Sequence, residues 1–189
     1  MYFIKFKDSE YYSTEEFHRD RPAVDHLSEA GHKDRIELSA EWVNSLVRAS
    51  EEGVTLIDYG CGTGGALSLI ETENKIGYDF NAPAVRYAQD RGRPVEFRDF
   101  VNEPPLRSNI AMITECLEHL SDPVKFLFEL DADWLVMSVP NGETEESHYE
   151  AHTHGMDEPG CREYLIKGSG WTPVLMKNVW GTQLWLARR

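Results

Sequence analysis

The stretch Val54-Thr55-Leu56-Ile57-Asp58-Tyr59-Gly60-Cys61-Gly62-Thr63-Gly64-Gly65 carries the information that decides the fold. Residues 54–59 form a short apolar run of strand length, and it stops at four glycines within six residues. Glycines there let the chain turn tightly and bring its backbone close to a ligand, while a helix opening at 65–71 offers unpaired N–H groups. Gly60, Gly62 and Gly65 satisfy a G-x-G-x-x-G spacing, which alone is also met by a plain strand-to-helix turn.

Working outward, the pattern alternates strand and helix. Strands are expected at 54–59, 75–80, 95–98, 109–114 and 134–139, with helices at 65–71, 82–91, 123–130 and 158–167. Residues 172–187 carry β-type side chains around Gly181 and read as a closing hairpin. This alternation implies an α/β, doubly wound, mostly parallel sheet with an antiparallel C-terminal edge, whose ligands sit at the carboxyl ends of the strands. Upstream, Ile36, Leu38, Trp42, Val43, Leu46 and Val47 form a helical stripe within 33–50, read as an N-terminal helical cap. The division is therefore a cap at 1–53 and a core at 54–189. Residues 141–160 lack either period and read as a loop holding His148, His152 and His154 among acidic residues.

Two more acids give the glycine loop a context. Asp79 follows Asp58 by 21 positions at the end of the second strand, where a carboxylate accepts hydrogen bonds from ribose hydroxyls. Asp99, at the end of the third strand, is placed to receive a base amino group. Three carboxylates at successive strand ends suit a ligand with a positive centre better than a pyrophosphate. NAD is the rival ligand, because the glycine spacing also fits a dinucleotide fingerprint. Against it, Asp58 stands where that fingerprint is usually apolar, and little chain remains for a separate substrate domain.

Composition bounds the partners. The 189 residues include 19 Lys and Arg against 33 Asp and Glu, a formal charge of −14, which argues against holding nucleic acid or anionic membrane by charge alone. Three widely spaced cysteines, the lack of an apolar leader and the lack of an 18-residue apolar run point to a soluble, cytoplasmic protein.

LIDYGCGTGG resembles the first motif of class I S-adenosylmethionine-dependent methyltransferases, GYDFN their ribose-binding second motif and EFRDF their adenine-binding third. TECLEHLSDP and SVPN are similar to stretches of the family's small-molecule branches, so the resemblance spans about 54–189. It implies a Rossmann-like fold with S-adenosylmethionine as cofactor. Gly60, Gly62 and Gly64 would lie beneath its methionine portion, with Asp58, Tyr59 and Cys61 beside them. Asp79 and Phe80 would take the ribose, Asp99 and Phe100 the adenine, and the Thr114 backbone the aminoacyl tail. The methyl group would pass to an oxygen or nitrogen of a small-molecule acceptor. An RNA 3′-end ribose methyltransferase and a non-catalytic adenosylmethionine-binding protein are the alternatives. Two departures are an LDADW turn before strand five and Asn109 where an Asp is common.

Glu115, Glu118 and His119 stand at i, i+3 and i+4, so a helical turn would project all three from one face. Carboxylates and imidazoles are ligands for Mg²⁺, Mn²⁺ or similar ions, and His152 or His154 could supply a fourth. The plain reading is that Glu118 and His119 cap a helix or orient one another. ECLEH with the downstream HTHGMDEP is similar to metal-dependent O-methyltransferases of catechols and of RNA ends, a resemblance that implies Glu115, Glu118, His119 and His154 as the ligand set. His119, with Glu118, is the candidate for deprotonating the acceptor. The remaining histidines, His18, His26 and His32, lie with Arg19, Arg21 and Arg35 in a segment that either covers the site and binds an anionic group or is a solvated cap.

Overall fold

A computed structural model describes residues 1–6 and 22–189. His18, Arg19 and Arg21 therefore lie outside the described residues. Among those described, no helix is long and apolar enough to cross a membrane.

Seven strands form one sheet: β2 (Leu56–Tyr59), β3 (Lys75–Asp79), β4 (Val95–Phe97), β5 (Ser108–Thr114), β6 (Ala132–Pro140), β8 (Thr172–Val179) and β9 (Thr182–Arg188). The order is β4-β3-β2-β5-β6-β9-β8, parallel from β4 to β6 and antiparallel across β9 and β8. The doubly wound sheet with its closing hairpin is thus the architecture found. Strand order reverses between β2 and β5, the crevice where open α/β sheets bind ligands. Helix α1 (Ala30–Ala49) and α2 (Ala82–Gln89) cover one face, where Ile36, Val43, Val85 and Ala88 meet Leu56, Ile110, Met112 and Val136. Helix α3 (Pro123–Glu129) and the C-terminal helix cover the other, where Phe126, Leu127, Leu165 and Ile166 meet Ile57, Ile113 and Leu135.

Local chemistry explains the helix starts. Asn81 and Asp122 cap α2 and α3 by accepting from Ala84 N–H and Lys125 N–H, each ahead of a proline in the first turn. The helix expected at 65–71 is instead one 3₁₀ turn, Ala66–Leu69. Asn44 of α1 takes the backbone where a helix would have continued, donating to Leu69 C=O at 2.9 Å and accepting from Glu71 N–H at 2.9 Å. At 158–167 the chain makes a short turn of α4 (Glu158–Gly160) that passes into a π-helix, Cys161–Lys167.

The stretch read as a loop at 141–160 contains a strand, β7 (His154–Met156), paired antiparallel with β1 (Phe3–Lys5) at the N-terminus. A Cβ on Gly160 would run into the Tyr2 carbonyl, so only glycine admits this approach. His154 sits inside the pairing, 4% exposed, with Nδ1 2.9 Å from Thr153 Oγ1 and its ring stacked on Phe3. Burial, helped by Lys5, pushes its pKa from 6.5 down to about 4. Between those values the unfolded chain takes up a proton that the native one refuses. Stability should therefore fall as pH drops from 6.5 toward 4, at a slope of up to ~1.4 kcal/mol per pH unit for this group. Urea unfolding across that range should show His154→Gln losing less than the parent.

Candidate active site

The carboxyl ends of β2, β3 and β5 open into a cavity of about 660 Å³, roofed by residues 22–36 of the cap. Gly60 at φ +71° and Gly62 at φ +55° shape its floor, a backbone region that L side chains rarely adopt. A Cβ on Gly60 would also lie 2.6 Å from Cys116 Sγ. Asp79 fastens this loop: its Oδ2 accepts from Gly62 N–H and its Oδ1 from Asn81 N–H, both at 2.7 Å. Burial still holds the Asp79 carboxyl above its ordinary range.

Asp58 is 1% exposed and its Oδ1 has no partner among the described residues. Burial and then the neighbouring Asp79 push its pKa well up. An orphaned buried carboxylate oxygen on a cavity wall is costly unless a ligand satisfies it. Asp25, Asp58, Asp79, Glu115 and Glu118 all line the cavity, against Arg35 as the one Lys or Arg among the described lining residues. Such a wall favours a cationic ligand.

Phe80, Phe100, Cys61 and Thr114 also line the cavity, as expected from sequence. Tyr59, Gly64 and Asp99 do not, contrary to expectation. The Tyr59 ring is fully buried between Tyr78, Phe100 and Phe126, and its hydroxyl accepts from Leu106 N–H at 3.1 Å. Gly64 packs against β4, where a Cβ on it would lie 2.7 Å from Val95 Cγ2. Strand β4 ends at Phe97, so Asp99 falls past the strand end and closes a turn on Asn102, accepting from its Nδ2 at 2.8 Å.

Glu115, Glu118 and His119 do not share one helical face. Glu115 takes φ +50° and only Leu117–His119 makes a 3₁₀ turn. The Glu115 carboxylate is thereby directed to Arg35, 3.0 Å from its Nη1, and accepts from Ser138 Oγ at 3.0 Å. Glu118 is 1% exposed and neither of its oxygens has a hydrogen-bond partner among the described residues, and burial followed by Glu115 raises its pKa well above the ordinary range. Among the described residues, Glu118, His119 and His152 bring one candidate ligand atom each to within 4.8 Å of one another. His152, not the implied His154, is the loop histidine at the site, because β7 turns His154 into the β1 pairing instead.

Both histidines are oriented. His119 Nδ1 lies 3.1 Å from Ala151 C=O, which can only accept, so Nδ1 carries the proton. His152 Nδ1 lies 2.6 Å from Glu143 Oε2, and its Nε2 is 3.9 Å from Glu118 Oε1. Burial pushes the Glu143 carboxyl up, but the His152 hydrogen bond and charge outweigh it and leave it lowered. Sequence reading missed Glu143 as a site residue and the pairing of Arg35 with Glu115, since one lies in a stretch without period and the other joins positions far apart in the chain.

The cap residue Asp25 was also missed. Its Oδ2 accepts from Arg93 Nη2 at 3.1 Å and Tyr87 hydroxyl at 3.3 Å, while Arg93 Nη1 donates to Thr63 C=O at 2.8 Å. Arg93 thus ties the cap to the glycine loop, and the described part of the His/Arg segment does cover the site.

A family model for a methyltransferase domain matches residues 31–165. No curated protein sequence matches significantly. Among solved structures, magnesium protoporphyrin IX methyltransferase (ChlM) from Synechocystis PCC 6803 with bound SAH aligns at TM-score 0.64 and 14% identity, over 95% of this chain and 96% of that one. The [4+2]-cyclase SpnF aligns at 0.66 and 17%, over 91% and 85%. The 1,6-didemethyltoxoflavin-N1-methyltransferase of Burkholderia thailandensis, with bound 1,6-didemethyltoxoflavin and S-adenosylhomocysteine, aligns at 0.61 and 17%, over 86% and 85%. These likenesses establish a shared fold, and the match over most of the chain adds descent to architecture: the protein belongs to the methyltransferase-domain family, the class I S-adenosylmethionine-dependent methyltransferases.

Proposed function

We propose that the cavity binds S-adenosylmethionine on the glycine loop and passes its methyl group to an oxygen of a small-molecule acceptor beside Glu118, His119 and His152. The observation that carries this reading is the orphaned Asp58 Oδ1 on the wall of an acidic cavity, next to the clasped Asp79. The cofactor's ammonium and sulfonium charges suit those walls, and Phe80 and Phe100, stacked at 5.1 Å, offer an aromatic side to the base. Alignment of the two reactants supplies much of the rate, up to ~7 to 11 kcal/mol in favourable cases.

The residues at the acceptor end fit a divalent ion. Two imidazoles have Nδ1–H pinned to oxygen acceptors, the usual orientation for ligation through Nε2, and Glu118 brings a carboxylate with no hydrogen-bond partner among the described residues. Two nitrogens and one carboxylate suit Mn²⁺ or a neighbouring transition ion better than Mg²⁺, which prefers all-oxygen shells. When bound, such an ion lowers the pKa of an acceptor hydroxyl. Glu143 holds the His152 ring in place, and Arg35 keeps Glu115 occupied. Without an ion, His119 Nε2 is the nitrogen that takes the acceptor's proton.

Four measurements test this reading. Asp58→Asn should weaken adenosylhomocysteine binding in calorimetry yet stabilise the unliganded protein at neutral pH. The buried carboxyl holds its proton above its ordinary 3.8, so the parent loses stability relative to the variant as pH rises past that value. Mn²⁺ binding, followed by electron paramagnetic resonance, should disappear in His152→Ala, persist in His154→Ala, and weaken by roughly 10- to 100-fold in Glu143→Gln. Protein stripped with EDTA that retains full turnover would remove the ion from the mechanism. Asp25→Asn should speed adenosylhomocysteine release in stopped-flow fluorescence by roughly tenfold, as expected when one partner of a largely buried ion pair is lost.

A further inference from the structure

Helix α1 covers β6 and β9 but stops short of the edge strand β8. Leu175 of β8 pairs with Leu186 and Lys177 with Leu184, and residues directly opposite share a face of the sheet. Leu184 and Leu186 belong to the core under α1, so Leu175 and Lys177 continue the same face outward. There Leu175 is 48% exposed. A groove of about 610 Å³ lies between this edge and α1, bounded by Asp34, Glu37 and Glu41 on the helix and by Lys177 and Trp180 on the hairpin. Asp34, Glu37 and Glu41 fall at i, i+3 and i+7, along one side of α1.

Trp180 caps the groove. It is 76% exposed, and its Nε1–H donates to Asp34 Oδ2 at 2.7 Å, which fixes the indole in the open. It also occupies the first position of a two-residue hairpin turn at φ +50°, followed by Gly181 at φ +84°. That turn favours Asn, Asp or Gly at both central positions, so a tryptophan there carries a local conformational cost, offset within the chain only by its exposed bond to Asp34 among the described residues.

We propose that β8 is a docking edge for a basic, extended segment of another protein, which adds as a strand alongside it. Its Lys or Arg side chains would lie on the α1 face, with their aliphatic stems over Leu175 and their charged ends toward Asp34, Glu37, Glu41 and the Trp180 ring, while its alternate apolar side chains would turn to the opposite face beside Met176. Charge complementarity selects this occupant. A second copy paired through β8 would bring two acidic α1 faces together in chains of −14 each. A free amphipathic helix could cover Leu175, but it would leave the backbone N–H and C=O groups on the outer side of β8 unpaired.

The inference does not depend on methyl transfer, since Trp180, Glu37 and Glu41 lie outside the cofactor cavity. Its test uses the whole protein and an acetylated, amidated Lys-Val-Arg-Val-Lys-Val peptide, read by hydrogen exchange of the backbone amides at 172–179 and by tryptophan fluorescence. Added peptide should slow exchange there, and the acidic counterpart Glu-Val-Glu-Val-Glu-Val should not. Trp180→Gly, which accepts the left-handed turn without strain, should keep its fold and methyltransferase activity and bind the peptide roughly tenfold more weakly. Glu37→Lys with Glu41→Lys should abolish the protection. Peptide binding that ignores these changes would overturn the proposal. So would slow exchange at 172–179 without peptide in a dimer that Leu175→Arg dissociates.

Discussion

The Asp79 carboxylate is the constraint on which the site depends. Its two oxygens accept the Gly62 and Asn81 N–H groups, so one side chain at the end of β3 fixes both the glycine loop after β2 and the start of α2. Hydrogen bonds to a charged acceptor contribute about 1.5–3 kcal/mol each, enough to hold a loop whose glycines are otherwise free. Parallel pairing of Asp58 with Gly77 in the β2–β3 ladder then brings the Asp58 carboxyl into the same buried space as Asp79. Two carboxyls buried together resist ionisation, and a cationic ligand reverses that resistance. The unliganded fold thus carries a cost that S-adenosylmethionine is chemically suited to relieve.

The proposed acceptor end draws on segments far apart in sequence. Arg35 comes from the cap helix, Glu115 and Glu118 from the chain after β5, and His152 and Glu143 from the stretch after β6. What holds that last stretch is the short β1–β7 pairing and the bonds from Thr153, whose N–H and hydroxyl both donate to Glu118 C=O. Thr153 therefore sets the spacing between His152 and Glu118.

Period and glycine chemistry made the sheet legible. Apolar runs fixed β2, β3, β5 and β6 to within two residues at either end, and Gly181 marked the hairpin. Asp58 and Asp79 were legible as lining residues because strand-end position follows from the alternation, whereas Phe100 was implied only by the resemblance to the methyltransferase motifs. Three things were not. The pairing of Phe3–Lys5 with His154–Met156 joins two three-residue strands about 150 positions apart, and neither has a pattern of its own. The helix expected after Gly65 is cut short by a tertiary hydrogen bond from Asn44, which no local propensity reveals. Helical spacing at Glu115, Glu118 and His119 misled because Glu115 adopts a left-handed conformation that its side chain gives no reason to expect.

That left-handed residue also bears on which ion the site would prefer. Had the turn been helical, Glu115 and Glu118 would both have faced the imidazoles, giving two carboxylates and a strong bias toward hard, oxygen-seeking cations. As folded, Arg35 is 6% exposed and keeps Glu115 as its counter-ion, while Ser138 takes the other carboxylate oxygen. Moving Glu115 to a metal would leave a buried guanidinium unpaired, a cost of several kcal/mol. The remaining set of Glu118, His119 and His152 is one carboxylate and two nitrogens, softer and less negative. The cap helix, through a single arginine, therefore sets the electrostatics of the proposed acceptor end as well as lining the cavity.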